Sequence, residues 1–265
     1  MEPYPAPRSP RLRHPWLYAL PGAALPTTVT CDGVVYKLVE TFKHDFFAAT
    51  GLYCGPDGLA VLKVGRTNPA FSVPLDWIGR VLAGREVHHY RVAAGLAGVP
   101  QLIGRVGATG LLHAFVPGHP LGRREAVSDA FFDELRSLLD ALHARDMAYV
   151  DLNKRQNILV GDDGRPYLID FQISLHMPRR GWRGARLAQW VLRRFQDADT
   201  YHLLKHKRRL RPDLLTDAER QRVERISFWI RLHRLVARPL TALRRRTKAR
   251  LAASETGQVA GAGAK

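Results

Sequence analysis

The segment YVDLNKRQNILVGDDGRPYLIDFQISL, residues 149–175, decides the fold. Asp151, Asn157 and Asp170 each sit against an apolar run: Tyr149-Val150, Ile158-Leu159-Val160 and Tyr167-Leu168-Ile169. Short apolar runs bounded by glycine and aspartate read as buried strands, here with a turn at Gly161–Gly164. A carboxylate is costly inside a core, so it belongs where a strand leaves the core, at the floor of a cleft. Two carboxylates and an amide oxygen from one hairpin form a hard oxygen set that suits Mg2+.

Upstream, residues 129–146 carry Phe132, Leu135, Leu138, Leu139 and Leu142 at helical spacing, which predicts an amphipathic helix. Residues 99–118 read as two short strands with a turn at 107–110. Residues 75–98 have helical spacing, weakened by glycines. The stretch FFAATGLYCGPDGLAVLKVG (46–65) reads as two strands joined at Gly55-Pro56-Asp57-Gly58, and 33–42 as a further strand. Beyond residue 185 the pattern is helical, punctuated by Pro212 and Pro239. A strand-rich part with one long helix thus precedes a mostly helical part, a two-lobed α+β arrangement.

Lys63 lies inside the apolar strand LAVLKVG (59–65). A buried ammonium needs an anionic partner, and Glu86 on the helix expected over 75–98 can supply one. Lys63, Glu86, Asp151, Asn157 and Asp170 then provide what phosphoryl transfer asks for: a cation for phosphates, a carboxylate to hold it, metal ligands and a carboxylate for the acceptor hydroxyl.

On these residues the chain resembles the protein-kinase-like phosphotransferases over roughly residues 33–175. AVLKV (60–64) is similar to the kinase VAIK strand, which implies that Lys63 meets the phosphates of ATP. Glu86 in REVHHYRVAAGLAGVP (85–100) resembles the glutamate that pairs with that lysine. LLHAFVPGHPL (111–121) resembles the hinge, which implies that Ala114 to Val116 offer backbone groups to adenine. LHARDMAYVDLNKRQNILV (142–160) resembles the catalytic loop, giving Asp151 the catalytic-base role and Asn157 a metal role. LIDFQ (168–172) resembles the DFG segment, giving Asp170 the main Mg2+ ligand role.

The departures are specific. Tyr149-Val150 replace His-Arg, so control by activation-loop phosphorylation is not expected. Asn157 follows Asp151 by six residues where the family has five, and Lys154 or Asn153 is a candidate to share its work. Gln172 stands in the place of the DFG glycine, which points to a fixed conformation. FKHDFFAATGLY (42–53) holds a single glycine where the family has a glycine-rich loop, so phosphate cradling would fall to backbone amides, with Lys43 or His44 as helpers. These features resemble the atypical branch: bacterial lipopolysaccharide (Kdo and heptose) kinases, then RIO-type kinases. Residues 197–216 are similar to the segment after DFG in the sugar kinases, with Asp199 bracing the catalytic loop from a helix start. His88, His89 and His143 read as helix-packing or surface residues, and Trp77, Trp182, Trp190 and Trp229 as packing residues.

Charge is segregated. Residues 1–175 hold 18 Lys+Arg against 17 Asp+Glu, whereas 176–265 hold 23 against 7, which accounts for nearly all of the net +17. FWIRLHRLVARPLTALRRRTKARL (228–251) spaces apolar residues helically between arginines, a pattern suited to an anionic membrane surface. Its apolar stripe favours a membrane over nucleic acid. A helix packed on its apolar side is the competing reading. Two cysteines exclude a disulfide framework and suggest a reducing compartment.

The expected organisation is a Pro-rich disordered arm (1–28), a kinase-like N-lobe (29–117), a reduced, mostly helical C-lobe (118–227), and a basic amphipathic helix with a flexible tail (228–265). The expected function is a cytoplasmic kinase, carried by its tail to the inner membrane face. It would use ATP and Mg2+ on a hydroxyl acceptor, a protein Ser/Thr or a membrane glycolipid sugar. A catalytically degenerate pseudokinase acting as a scaffold, and a nucleic-acid-associated factor, are the alternatives.

Overall fold

The structure is a computed structural model that describes residues 18–21, 24–69, 76–178 and 185–224. The chain divides into two compact units, residues 1–214 and 215–265. The first is built on a six-stranded antiparallel sheet of β1 (Thr28–Cys31), β2 (Val34–His44), β3 (Ala48–Gly55), β4 (Gly58–Gly65), β5 (Leu102–Val106) and β6 (Gly110–Ala114), in the order β1-β2-β3-β4-β6-β5. Helix α1 (Asp76–Val92) connects β4 to β5. The antiparallel sheet with one helix inserted before its last two strands is the strand-rich first part, with one long helix, that the sequence leads one to expect.

Alternation along β4 explains the unusual lysine. Ala60 and Leu62 point into a core with Leu20, Leu25, Val29, Tyr36, Tyr53 and Leu112. Lys63, one residue out of phase, falls on the opposite face, toward α1. Gly79 is one of the glycines that weaken the helical pattern of α1, and it has a packing reason. A Cβ there would stand 2.2 Å from the Arg66 carbonyl oxygen, so glycine lets α1 lie directly on the end of β4.

The arm expected over 1–28 ends earlier than its composition suggests. Ala19, Leu20 and Leu25 are buried. The Thr67 and Asn68 N–H groups both donate to the Ala19 carbonyl, each at 2.9 Å, so this stretch is part of the sheet's core. Prolines and small residues look disordered by composition, but two leucines suffice to anchor them here.

Below the sheet, α2 (Phe131–Ala144) buries Phe131, Phe132, Leu135, Leu138, Leu139 and Leu142 on one face, as its spacing predicts. The deciding segment follows as β8 (Met147–Ala148), a 3-10 turn (Arg155–Asn157), β9 (Ile158–Gly161) and β10 (Pro166–Leu168). β9 lies between β10 and β7 (Gly118–Pro120), while β8 pairs with β11 (Leu175–His176). The strands β1, β7 and β11 carry no sequence signal, being two to four residues long. Helix α3 (Ala185–Leu210) stops just before Pro212.

In the second unit the described residues form α4 (Asp217–Glu224), opened by a capping box. Thr216 N–H donates to Glu219 Oε2 at 3.1 Å, and Glu219 N–H donates to Thr216 Oγ1 at 3.3 Å. The basic helix expected over 228–251, the flexible tail, Trp182 and Trp229 lie outside the described residues. Among the described residues no helix is long and apolar enough to cross a membrane. Trp77 is 59% exposed and Trp190 43% exposed, so neither is the core residue its type suggests.

Candidate active site

The strand β4, helix α1 and the end of β10 bring three charges together. Lys63 Nζ lies 2.8 Å from Glu86 Oε2 and 2.7 Å from Asp170 Oδ1, its side chain 14% exposed. Burial works against its charge, but Glu86 and Asp170 outweigh burial and push Lys63 up to about 12. Burial likewise raises Asp170, and here too Lys63 wins and holds the carboxyl below its ordinary range. Glu86 is fully enclosed, and burial pushes it up against the pull of Lys63. The ammonium is thus fixed, charged, and aimed at the cleft with Asp170.

The backbone at the two cleft aspartates is unusual. Asp170 has φ +63° and Val150, next to Asp151, has φ +72°. Aspartate tolerates the left-handed region; valine, branched at Cβ, does so at a cost of about 1–3 kcal/mol. Asp199 supplies the compensation. Its carboxylate accepts from Tyr149 N–H at 2.7 Å and Val150 N–H at 2.8 Å, while His143 Nε2 lies 3.3 Å away. Hydrogen bonds to a charged group contribute about 1.5–3 kcal/mol each, enough to offset the strain. Asp199 therefore braces the catalytic loop as its sequence context suggests, but from the middle of α3 rather than from a helix start.

Asp151 is nearly buried, which raises its carboxyl; Lys154 and Asn157 pull it back only in part. Both neighbours use the same oxygen. Lys154 Nζ and Asn157 Nδ2 donate to Asp151 Oδ2, the latter at 3.0 Å. The additional residue before Asn157 is absorbed in the 3-10 turn Arg155–Asn157, so the amide still reaches Asp151. With its nitrogen so engaged, the Asn157 amide oxygen is left over, and the Asp170 side chain, held by Lys63 and the Gln172 N–H, is 35% exposed. These oxygens suit a hard divalent cation that completes its shell with phosphate oxygens. Among the described residues no group of three His, Cys, Asp or Glu forms a metal cluster of its own.

An aromatic column fixes the corner that carries Asp170. Phe171 is fully buried, with Tyr90 at 4.9 Å and Tyr149 at 5.2 Å between ring centroids, and Tyr90 stacks on His113 at 5.4 Å. His89 Nδ1 donates to the Phe171 carbonyl at 2.9 Å, and the Tyr149 hydroxyl donates to the Ile169 carbonyl. Tyr149, in the place of the family's histidine, thus does packing and hydrogen-bonding work, and His89 is a buried brace. Gln172 accepts its place without a left-handed backbone, because Asp170 makes the turn.

The hinge groups are partly engaged. Ala114 N–H donates to the Gln101 carbonyl at 2.8 Å, and the Ala114 carbonyl accepts from His113 Nδ1 at 2.9 Å. Among the described residues Val116 N–H makes no hydrogen bond. Lys63, Glu86, Thr109, Leu111 and Gln172 line a shallow recess.

The phosphate-side turn departs from its sequence expectation. Asp45 Oδ1 accepts from Phe47 N–H at 2.9 Å and Ala48 N–H at 3.1 Å, two of the amides in the stretch expected to cradle phosphate. Lys43 is tied to Asp45 at 2.7 Å, and His44 Nε2 accepts from Leu20 N–H at 3.1 Å. A side-chain carboxylate shapes the turn that glycines shape elsewhere. The Phe47 and Ala48 amides, Lys43 and His44 thus each have a partner within the protein.

No protein-family model matches the sequence, and no curated protein matches it. Among solved structures the chain is similar to the Rio2 kinase of Chaetomium thermophilum in an ADP/Mg2+-phosphoaspartate complex, at 15% identity and TM-score 0.48, covering 72% of this chain and 62% of that one. A second structure of that Rio2 kinase matches at 14% identity and TM-score 0.47, covering 71% and 63%. The chain thus spans less than two thirds of either solved chain. What those chains bind is a property of theirs.

Proposed function

We propose that this protein is an ATP- and Mg2+-dependent phosphotransferase that moves the γ-phosphate to a hydroxyl, on a protein Ser/Thr or a lipopolysaccharide-core sugar. The observation that carries the reading is the Lys63–Glu86–Asp170 cluster beside the Asp151–Asn157 pair, near enough that Asp170 acts on the Asp151 carboxyl. Lys63 would hold the α/β-phosphates, with Glu86 keeping it charged and in place. Ala114 and Val116 would meet adenine through backbone groups. Asp151 Oδ1 would orient the acceptor hydroxyl and take up its proton, helped by burial that raises the carboxyl. Lys154, on the other oxygen of Asp151, would stand beside the transferring phosphoryl group. Asp170 and Asn157 would hold Mg2+, which when bound screens the phosphate charge.

With the Phe47 and Ala48 amides partnered by Asp45, phosphate contact would rest on Lys63 and the metal ligands. The basic tail would bring the protein to the anionic inner face of the cytoplasmic membrane. The test offers purified full-length protein labelled ATP with a generic protein acceptor and a lipopolysaccharide extract in parallel, with Asp151→Ala and Asp170→Ala as controls. Label on either acceptor, lost in both variants, is the expected result. Nucleotide binding without transfer would leave the scaffold reading in its place, and absence of both would end the enzyme reading.

A further inference from the structure

Helix α3 has one face that packs and one that does not. Leu192, Asp199 and Leu203 are buried. On the same side Gln189 donates to the Met177 carbonyl at 2.7 Å, and Gln196 donates to the His143 and Met147 carbonyls at 3.2 and 3.3 Å. These positions recur at helical spacing, so the residues half a turn away face outward. Those are Leu187, 67% exposed, Trp190, 43% exposed, and the exposed Arg186, Arg193 and Arg194. Leu187, Trp190 and Arg194 stand at spacing i, i+3, i+7 and run down the middle of the outer face, with Arg186 and Arg193 along one flank. The Arg194 guanidinium lies 5.6 Å from the centre of the Trp190 ring.

The charge here has one sign. Residues 171–196 contain no Asp or Glu, whereas residues 179–194 contain six arginines. The first acid along the helix is Asp197, 3.5 Å from Arg194. That sign decides between the occupants such a face could have. The segment 228–251 has the apolar spacing to cover Leu187 and Trp190, but it is itself rich in arginine, and like charges oppose the contact. A second copy of this face brings the same arginines. An anionic lipid surface answers both features together: its phosphates neutralise the guanidinium groups, while leucine and tryptophan enter the headgroup boundary. Tryptophan suits that boundary because its body is apolar and its N–H polar, and arginine stems lie along apolar surface with their heads in the phosphates. Leu187 and Trp190 form a convex ridge, which a fluid bilayer admits without a matching groove.

We propose that the outer face of α3, through Arg186, Leu187, Trp190, Arg193 and Arg194, is a contact surface for anionic phospholipid, separate from the basic tail. It does not depend on the phosphotransferase reading. The inner face of the same helix carries Asp199, which holds the Tyr149 and Val150 N–H groups, so one helix joins the lipid surface to the loop that bears Asp151.

Flotation of the full-length protein with phosphatidylcholine vesicles, with and without about one third phosphatidylglycerol, tests this. The protein floats with the anionic vesicles and not with the neutral ones. Leu187→Gln/Trp190→Gln weakens binding about tenfold or more, and Arg186→Gln/Arg193→Gln about thirtyfold. Both pairs are also placed in an Arg244→Gln/Arg245→Gln/Arg246→Gln chain, so that the tail does not mask their effect. Melting temperatures match wild type, because all four side chains are exposed; Leu187→Gln alone, at the most exposed position, keeps the test open should the pair lower stability. Equal recovery with neutral and anionic vesicles, or wild-type binding by both pairs in both chains, overturns the surface. Loss in the arginine pair with full binding by the Leu187 and Trp190 variants means that charge alone acts, as toward an acidic protein, and overturns lipid as the occupant. Phosphate transfer and Mg·ATP affinity are measured separately, and their failure strikes the phosphotransferase reading and not this surface.

Discussion

Two charged clusters make up the candidate site, and they are built on opposite rules. Around Lys63 one ammonium lies between two carboxylates, Glu86 and Asp170. Around Asp151 one carboxylate lies between an ammonium and an amide, Lys154 and Asn157, both on its Oδ2. In the first the partners outweigh burial and keep the cation charged; in the second burial outweighs the partners and raises the carboxyl.

Substitutions at the cleft separate the two most sharply. Asp151→Ala is expected to lower phosphate transfer by about 10²–10⁴-fold, the usual worth of a positioned base, with affinity for Mg·ATP retained. Asp170→Ala is expected to lower transfer by about 10²–10³-fold and to weaken Mg·ATP binding as well, since it removes a metal ligand and frees Lys63. Rate and affinity measured on both variants check the division. Equal loss of nucleotide affinity in both would mean that the two carboxylates do not divide the work.

Asp199→Ala acts on stability rather than on either cluster. It leaves the Tyr149 and Val150 N–H groups without an acceptor beside a left-handed valine. Urea unfolding should show a loss of about 2–6 kcal/mol, from two buried donors at about 1–3 kcal/mol each. A loss below 1 kcal/mol would show that the loop holds its own shape.

Acid gives a smaller, graded effect. Burial lowers His89, His113 and His206 to about 4 each. An unfolded chain protonates histidine near 6.5, so between about 6.5 and 4 the unfolded state binds more protons than the folded one. The melting temperature should therefore fall as pH is lowered through that window. A flat profile there would contradict the burial of these three rings.

Much of this was legible in the sequence. Lys63, Glu86, Asp151, Asn157 and Asp170 are each a polar residue against an apolar period, and the structure sets Lys63 against Glu86 and Asp170, and Asn157 against Asp151. The helix α2 and the β3–β4 hairpin follow from spacing and turn residues. What stayed hidden depends on chain folding rather than pattern. Asp45 at the phosphate-side turn reads as an ordinary turn aspartate until the Phe47 and Ala48 amides are seen on it. Leu20 and Leu25 gain their burial from a sheet distant in sequence. Arg123 and Arg209 are 86 residues apart, and only the meeting of α3 with the segment after β7 makes them neighbours.

The most direct measurement is the melting temperature of the full-length protein with and without Mg·ATP, in wild type and in Lys63→Ala. At about a hundredfold excess over Kd, ligand binding adds about 2.7 kcal/mol, or about 5–10 °C for a chain of this size. The paired cluster predicts that shift in wild type and none in Lys63→Ala. No shift in wild type, or the same shift in both, would contradict it.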